Sequence, residues 1–126
     1  SAGYDIEAAE DTIVPSIKKQ NTPTLIKTGL KAYMQDDEVL LLYNRSSNPK
    51  KKGLVMANSV GVIDKDYYGN PDNDGHFMFS FFNIKDEDIL IKKGECIGQA
   101  IFQKYLVSDD DNANGIRVGG FGSTSK

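Results

Sequence analysis

Short apolar runs rich in β-branched and aromatic residues, each closed by Gly, Pro, Asn or Asp, follow one another along the chain. That punctuation predicts strands at 12–17, 24–34, 38–44, 53–56, 60–64, 77–84, 88–91 and 96–107. Strands of this length and spacing imply an all-β sandwich, barrel or jelly roll. The run from Phe77 to Phe82 is apolar on both pleat faces, so its outer face is expected to meet another subunit. A helix signal stands at Ser47-Asn48-Pro49-Lys50, where Asn48 can cap, Pro49 takes the first helical position and Gly53 ends a turn or two.

Composition narrows the class. The chain has 126 residues and a mass of 13.9 kDa, the size of one domain. It is 39% hydrophobic and 26% charged, which reads as globular. With 15 basic against 18 acidic side chains the net charge is −3, so a basic nucleic-acid footprint is absent. No run approaches the roughly 18 to 20 apolar residues that span a bilayer, and no secretory leader opens the chain, so no membrane partner and a cytoplasmic location are expected. A bacterial, viral or phage source is compatible with this. The first residue is Ser1 rather than Met, so the sequence is expected to begin inside a longer native protein or at a trimmed end.

A single cysteine, Cys96, excludes an internal disulfide, and a single histidine, His76, excludes a histidine-built metal cluster in one chain. Any hydrolysis then falls to carboxylates. A Ser-His-Asp arrangement could recruit only His76, which sits in the polar run Asn73-Asp74-Gly75 and reads as a solvated turn histidine. The acidic patches Asp36-Asp37-Glu38 and Asp109-Asp110-Asp111 lack calcium-loop spacing and read as solvated hairpin tips. Past residue 114 the chain becomes Gly- and Ser-rich. We expect a β domain over 1–114 and a glycine-rich arm over 115–126, in which the lone Phe121 needs a partner.

Five patches place polar residues on turns. Ala2-Gly3-Tyr4-Asp5 sets a carboxylate beside a glycine, compatible with an ordinary turn aspartate. Arg45-Ser46-Ser47 brings a guanidinium and two hydroxyls to a helix start, as a phosphate chain requires, though a plain N-cap beside a surface arginine has the same look. Asn58 to Gly69 reads as a hairpin turning near Gly61, with Asp64 and Tyr67 projecting beyond it. Lys93 to Ala100 is a turn entering a strand, with Gln99 in mid-strand. Arg117 to Ser125 is a glycine-rich arm carrying a cation, an aromatic ring and hydroxyls.

In this order, AGYDIEA, RSSNPKKKG, NSVGVIDKDYYG, GECIGQAIFQ and RVGGFGSTS resemble the five motifs of the trimeric dUTPase family, over residues 2–125. The resemblance implies a jelly-roll-like homotrimer with sites shared between chains, hydrolysing dUTP to dUMP and pyrophosphate with Mg²⁺. That reaction limits uracil in DNA and supplies a thymidylate precursor. Asp64 matches the carboxylate that deprotonates water for attack on the α-phosphorus. Tyr67 matches the ring under the deoxyribose that leaves no room for a 2′-hydroxyl. The segment Asn58, Ser59, Val60, Gly61 and Val62 resembles the one whose backbone pairs with the uracil edge; cytosine there leaves groups unpaired, a penalty reaching roughly 10⁴-fold. Arg45, Ser46, Ser47 and Gln99 correspond to phosphate contacts, and Asp5 to the residue holding water on magnesium. Phe121 matches the ring that stacks on uracil when the arm closes, and Arg117, Ser123 and Thr124 match positions reaching the γ-phosphate.

Three departures accompany the match. Tyr68 and Cys96 stand where arginine is frequent, the latter at the expense of an ion pair, and Gly98 where alanine is common. The related dCTP deaminases are the runner-up, but they need an acid/base glutamate, whereas this third motif supplies Asp64 and Asp66. A dUTP-responsive regulatory binding protein is the other alternative, against which the intact Asp64 argues.

Overall fold

A computed structural model describes residues 1–110 of the chain. Nine strands form three small sheets: β1 (Tyr4–Glu7), β2 (Thr12–Val14), β3 (Thr24–Leu30), β4 (Glu38–Asn44), β5 (Leu54–Met56), β6 (Gly61–Ile63), β7 (Phe77–Asn83), β8 (Ile89–Ile91) and β9 (Cys96–Lys104). One helix, α1 (Asn48–Lys52), follows β4, and a 3-10 turn covers Lys65–Tyr67. The sheets are ordered β1-β9-β4-β6, β3-β7-β5 and β2-β8, and every pairing within them is antiparallel. The all-β jelly-roll-like expectation is met.

The core lies between the sheets. Phe77, Phe79 and Phe81 of β7 point inward with Ile26, Leu40, Leu42, Leu54, Ile91 and Ile97. Phe79 and Phe81 are fully buried with rings stacked 5.8 Å apart; each buried aromatic of this kind contributes about 1.5–3 kcal/mol by removal from water. Gly98 of β9 lies beneath Phe79. A Cβ there would stand 2.5 Å from the Phe79 ring and 2.6 Å from the Tyr43 carbonyl, so this departure to glycine is matched to its packing. The opposite face of β7 is only partly covered by the chain itself: Met78 and Phe82 are half-buried beside the exposed Leu25 of β3.

Several expectations are corrected. Tyr4 and Asp5 lie in a strand, paired with β9, rather than in a turn. The segment 58–62 is no hairpin: β5 pairs with β7 and β6 with β4, so residues 57–60 form a corner between two sheets. At that corner Ser59 has φ +62°, and the Val60 amide donates to the Asn58 carbonyl at 2.7 Å, a tight turn that a non-glycine residue adopts at some cost. Ser47, not Asn48, occupies the cap position of α1, and no side chain caps the helix. His76 is half-buried, and its Nε2 accepts from the amides of Thr28 (3.2 Å) and Gly29 (2.9 Å), which makes it a clasp on β3. The Asp36 turn joins two different sheets rather than a hairpin, with Asp36 paired to Lys65 and Asp37 to Lys104. Asp111 and the whole 115–126 arm lie outside the described residues.

Candidate active site

Antiparallel register brings two of the sequence-predicted residues side by side. Asp5 on β1 is the partner of Gln99 on β9, which in turn faces Tyr43 on β4, so the three occupy one row across the sheet. Cross-strand partners share a face, and Asp5 is exposed there. Gly3 packs closely beside this row: a Cβ there would fall 2.6 Å from Gln99 Oε1, so a larger residue would push the Gln99 amide aside.

Past Asn44 the chain turns through Arg45, Ser46 and Ser47 into α1, at the same end of the sheet. Arg45 and Ser46 are exposed and Ser47 half-buried. This loop is held from below by Asn48, which is 1% exposed. Its Nδ2 donates to the Ile97 carbonyl of β9 (2.9 Å) and to Asn44 Oδ1 (2.8 Å), while Asn44 Nδ2 donates to the Leu54 carbonyl (3.0 Å). The Asn48 amide closes the turn onto the Arg45 carbonyl at 3.0 Å. Asn48 is thus a site-building residue that the cap reading missed; its only sequence signal is an Asn before Pro. An ion pair between Lys52 and Glu95 ties the far end of α1 to the turn before β9. Burial works against the Glu95 carboxylate, but the Lys52 ammonium and the Lys92 amide together hold its pKa below the ordinary value.

The second group of residues sits elsewhere. Ser59 and Val60 form the corner, Gly61 and Val62 lie on β6, Asp64 precedes the 3-10 turn, and Tyr67 ends it, half-buried against the core. Gly61 fits closely under Leu42, where a Cβ would come within 3.0 Å. Ile63 pairs with Leu40, so the same register sets Asp64 level with Val39, six residues from Arg45 along the line of β4. At about 3.3 Å per strand residue that is roughly 20 Å. Asp5 and Gln99 are displaced in the same direction and lie on strands that are not adjacent to β6. Within one chain, Asp5, Gln99 and residues 45–47 therefore lie in one group and residues 59–67 in another, displaced along β4. Arg117, Phe121, Ser123 and Thr124 lie outside the described residues.

A family profile, that of the dUTPases, matches residues 1–125. The chain belongs to the dUTPase family. It is 58% identical over 127 residues to the deoxyuridine 5′-triphosphate nucleotidohydrolase of Lactococcus lactis, covering 98% of this chain and 81% of that protein. Identity to the Enterobacter enzyme of the same name is 33% over 132 residues, covering 100% and 82%. Among solved structures it is similar to the dUTPase of Streptococcus mutans, with a TM-score of 0.81, 47% identity and coverage of 86% and 82%. The dUTPase of phage phi11 of S. aureus, described with a structural Mg(II) ion, shares the fold at a TM-score of 0.70 and 18% identity. As a dUTPase the protein is an enzyme of nucleotide metabolism that hydrolyses dUTP, and the deaminase alternative is not favoured. Among the described residues no helix is long and apolar enough to cross a membrane.

Proposed function

We propose that dUTP is bound and cleaved between neighbouring copies of this chain in a homotrimer, each site joining the Asp5–Arg45–Gln99 half of one copy to the Asp64–Tyr67 half of the next. The observation that carries this is the separation of roughly 20 Å derived from the β4 register. Groups acting on one phosphorus must reach it directly or through one water, which the two halves of a single chain cannot do together. The half-buried Met78 and Phe82 beside exposed Leu25 supply an apolar face of the kind a subunit contact covers.

In this arrangement the backbone of Asn58 to Val62 reads the uracil edge and Tyr67 packs under the deoxyribose. Arg45, Ser46, Ser47 and Gln99 hold the phosphates, and Asp64 takes a proton from the water that attacks the α-phosphorus, releasing pyrophosphate. Arg117, Ser123 and Thr124 reach the γ-phosphate from the arm over 115–126, whose Phe121 covers the base. The donor set suits a Mg²⁺ ion carried mainly by the substrate: among the described residues no group of three or more His, Cys, Asp or Glu could hold a metal, while Asp5 offers one exposed carboxylate for a bound water. When bound, Mg²⁺ supplies neutralisation of phosphate charge.

Complementation tests the shared site. Asp64→Asn and Gln99→Ala are each expected to be inactive, and mixing after joint unfolding and refolding should restore activity, because mixed trimers contain sites with both halves intact. Activity that stays absent in well-folded mixtures, or a fully active monomer by light scattering, refutes the arrangement. Pyrophosphate release from dUTP but not from dCTP, dTTP or UTP checks the specificity.

A further inference from the structure

Between the 3-10 turn and β7 the chain makes a loop, residues 70–76, in which the side chains of Asn70 and Asn73 point inward onto Tyr67. Asn70 is 5% exposed; its Nδ2 donates to the Tyr67 carbonyl (3.0 Å) and to Asn73 Oδ1 (2.8 Å), and its Oδ1 accepts from the Asp72 amide (2.9 Å). Asn73 Oδ1 also accepts from the Gly75 amide at 3.1 Å, which uses the acceptor end of that side chain and turns its Nδ2 toward the ring. That Nδ2 donates to Tyr67 Oη at 2.6 Å and to the His76 carbonyl at 3.2 Å, and the Tyr67 hydroxyl donates to the same carbonyl at 3.3 Å. Gly75, at φ +90°, lets the loop lie on the backbone of residues 67–69, since a Cβ would come 2.9 Å from the Tyr67 carbonyl. The His76 clasp on Thr28 and Gly29 then anchors the loop to β3. Outside, Lys31 bonds Asp74 at 2.7 Å and lies 4.6 Å from the Tyr68 ring centre.

We propose that Asn73 is a positioning residue that locks the Tyr67 ring through its hydroxyl and thereby sets how strictly the sugar pocket rejects ribose. This rests on Tyr67 being the wall under the deoxyribose. A wall discriminates by exclusion only if it cannot retreat, and an aromatic ring held at Cα alone can turn away at modest cost. Here Asn70 holds the Tyr67 backbone carbonyl and Asn73 holds the ring hydroxyl, so retreat of the ring before a 2′-hydroxyl breaks the hydrogen bond at its far end. The loop is tied through His76 to the same sheet as β7, which gives the lock a rigid base.

The test compares kcat/KM for dUTP and UTP in the full-length enzyme and in Asn73→Leu, Tyr67→Phe, their double variant and Tyr67→Leu. Asn73→Leu and Tyr67→Phe should each lower the dUTP-over-UTP ratio by about five- to tenfold, the weight of one neutral hydrogen bond, with the loss for dUTP falling on KM more than on kcat. The double variant should be no worse than the worse single one, since both remove the same contact. Tyr67→Leu should lower the ratio further. If Tyr67→Leu lowers it while Asn73→Leu and Tyr67→Phe leave it unchanged, the lock is refuted and the wall stands. If Tyr67→Leu leaves the ratio unchanged too, the wall reading falls and the lock with it. Should Asn73→Leu fail to fold, Tyr67→Phe, which keeps the ring and loses only the hydroxyl, decides.

Discussion

Removing the Asn48 side chain isolates the link between packing and phosphate binding. In Asn48→Ala the Ile97 carbonyl and Asn44 Oδ1 both lose their donor. Asn48 and Ile97 are each 1% exposed, so water cannot take its place. A buried acceptor left without its partner costs about 1–3 kcal/mol, and the void left by the amide adds to it, for a total of about 2–4 kcal/mol. A chain of 126 residues unfolds with an entropy of about 0.26 kcal/mol per kelvin, so Tm should fall by roughly 8–15 °C. The measurement is a thermal melt at one fixed protein concentration, because assembly adds to stability by mass action, alongside KM for dUTP at a temperature where the variant is fully folded. With the turn from Arg45 to Ser47 no longer pinned to β9, KM should rise. Asn48→Asp should destabilise at least as much, since it aims a carboxylate oxygen at the Ile97 carbonyl and Asn44 Oδ1. A Tm within about 2 °C of the parent would refute the burial argument, and a large Tm loss with unchanged KM would refute the link to the phosphate loop.

Three more outcomes follow from the same geometry. Asp64→Asn should keep nucleotide binding and lose about 10²-fold to 10⁴-fold in kcat, as removal of a general base does; equilibrium binding of a non-hydrolysable dUTP analogue with steady-state kinetics checks it. Gly98→Ala should cost about 1–3 kcal/mol from the clash with the Phe79 ring and the Tyr43 carbonyl, and an unchanged Tm would show that β4 and β9 part easily. The Ser16 amide, with Lys19 beside it, holds the Asp88 carboxyl below the ordinary aspartate value. A carboxylate depressed in the fold stabilises above its unfolded pKa and loses that contribution as pH falls through the folded one. Tm should therefore drop on acidification below about pH 4, and less steeply in Asp88→Asn; parallel profiles would count against the contact.

Strand positions were legible where an apolar run is bounded by turn residues. The 38–44 strand coincides with β4, and the 77–84 and 88–91 runs differ from β7 and β8 by one residue at an end. β1 was not legible, because Tyr-Asp-Ile-Glu buries only Ile6 and owes its extended shape to β9, more than ninety positions away along the chain. The chemistry-bearing residues could be named because five short motifs, in order, resemble those of the dUTPase family: the general-base role expected of Asp64 comes from that resemblance, whereas Arg45-Ser46-Ser47 also reads as an anion turn from its own residue types. Their grouping could not. Whether Asp64 and Arg45 share a pocket depends on the β4–β6 and β4–β9 registers, which set them roughly 20 Å apart. The roles of Asn48, Asn73 and His76 come from partners on other elements, in β9, at the Tyr67 hydroxyl and in β3. A polar side chain in a turn looks the same in sequence whether it faces water or a buried carbonyl, and only the tertiary structure decides which.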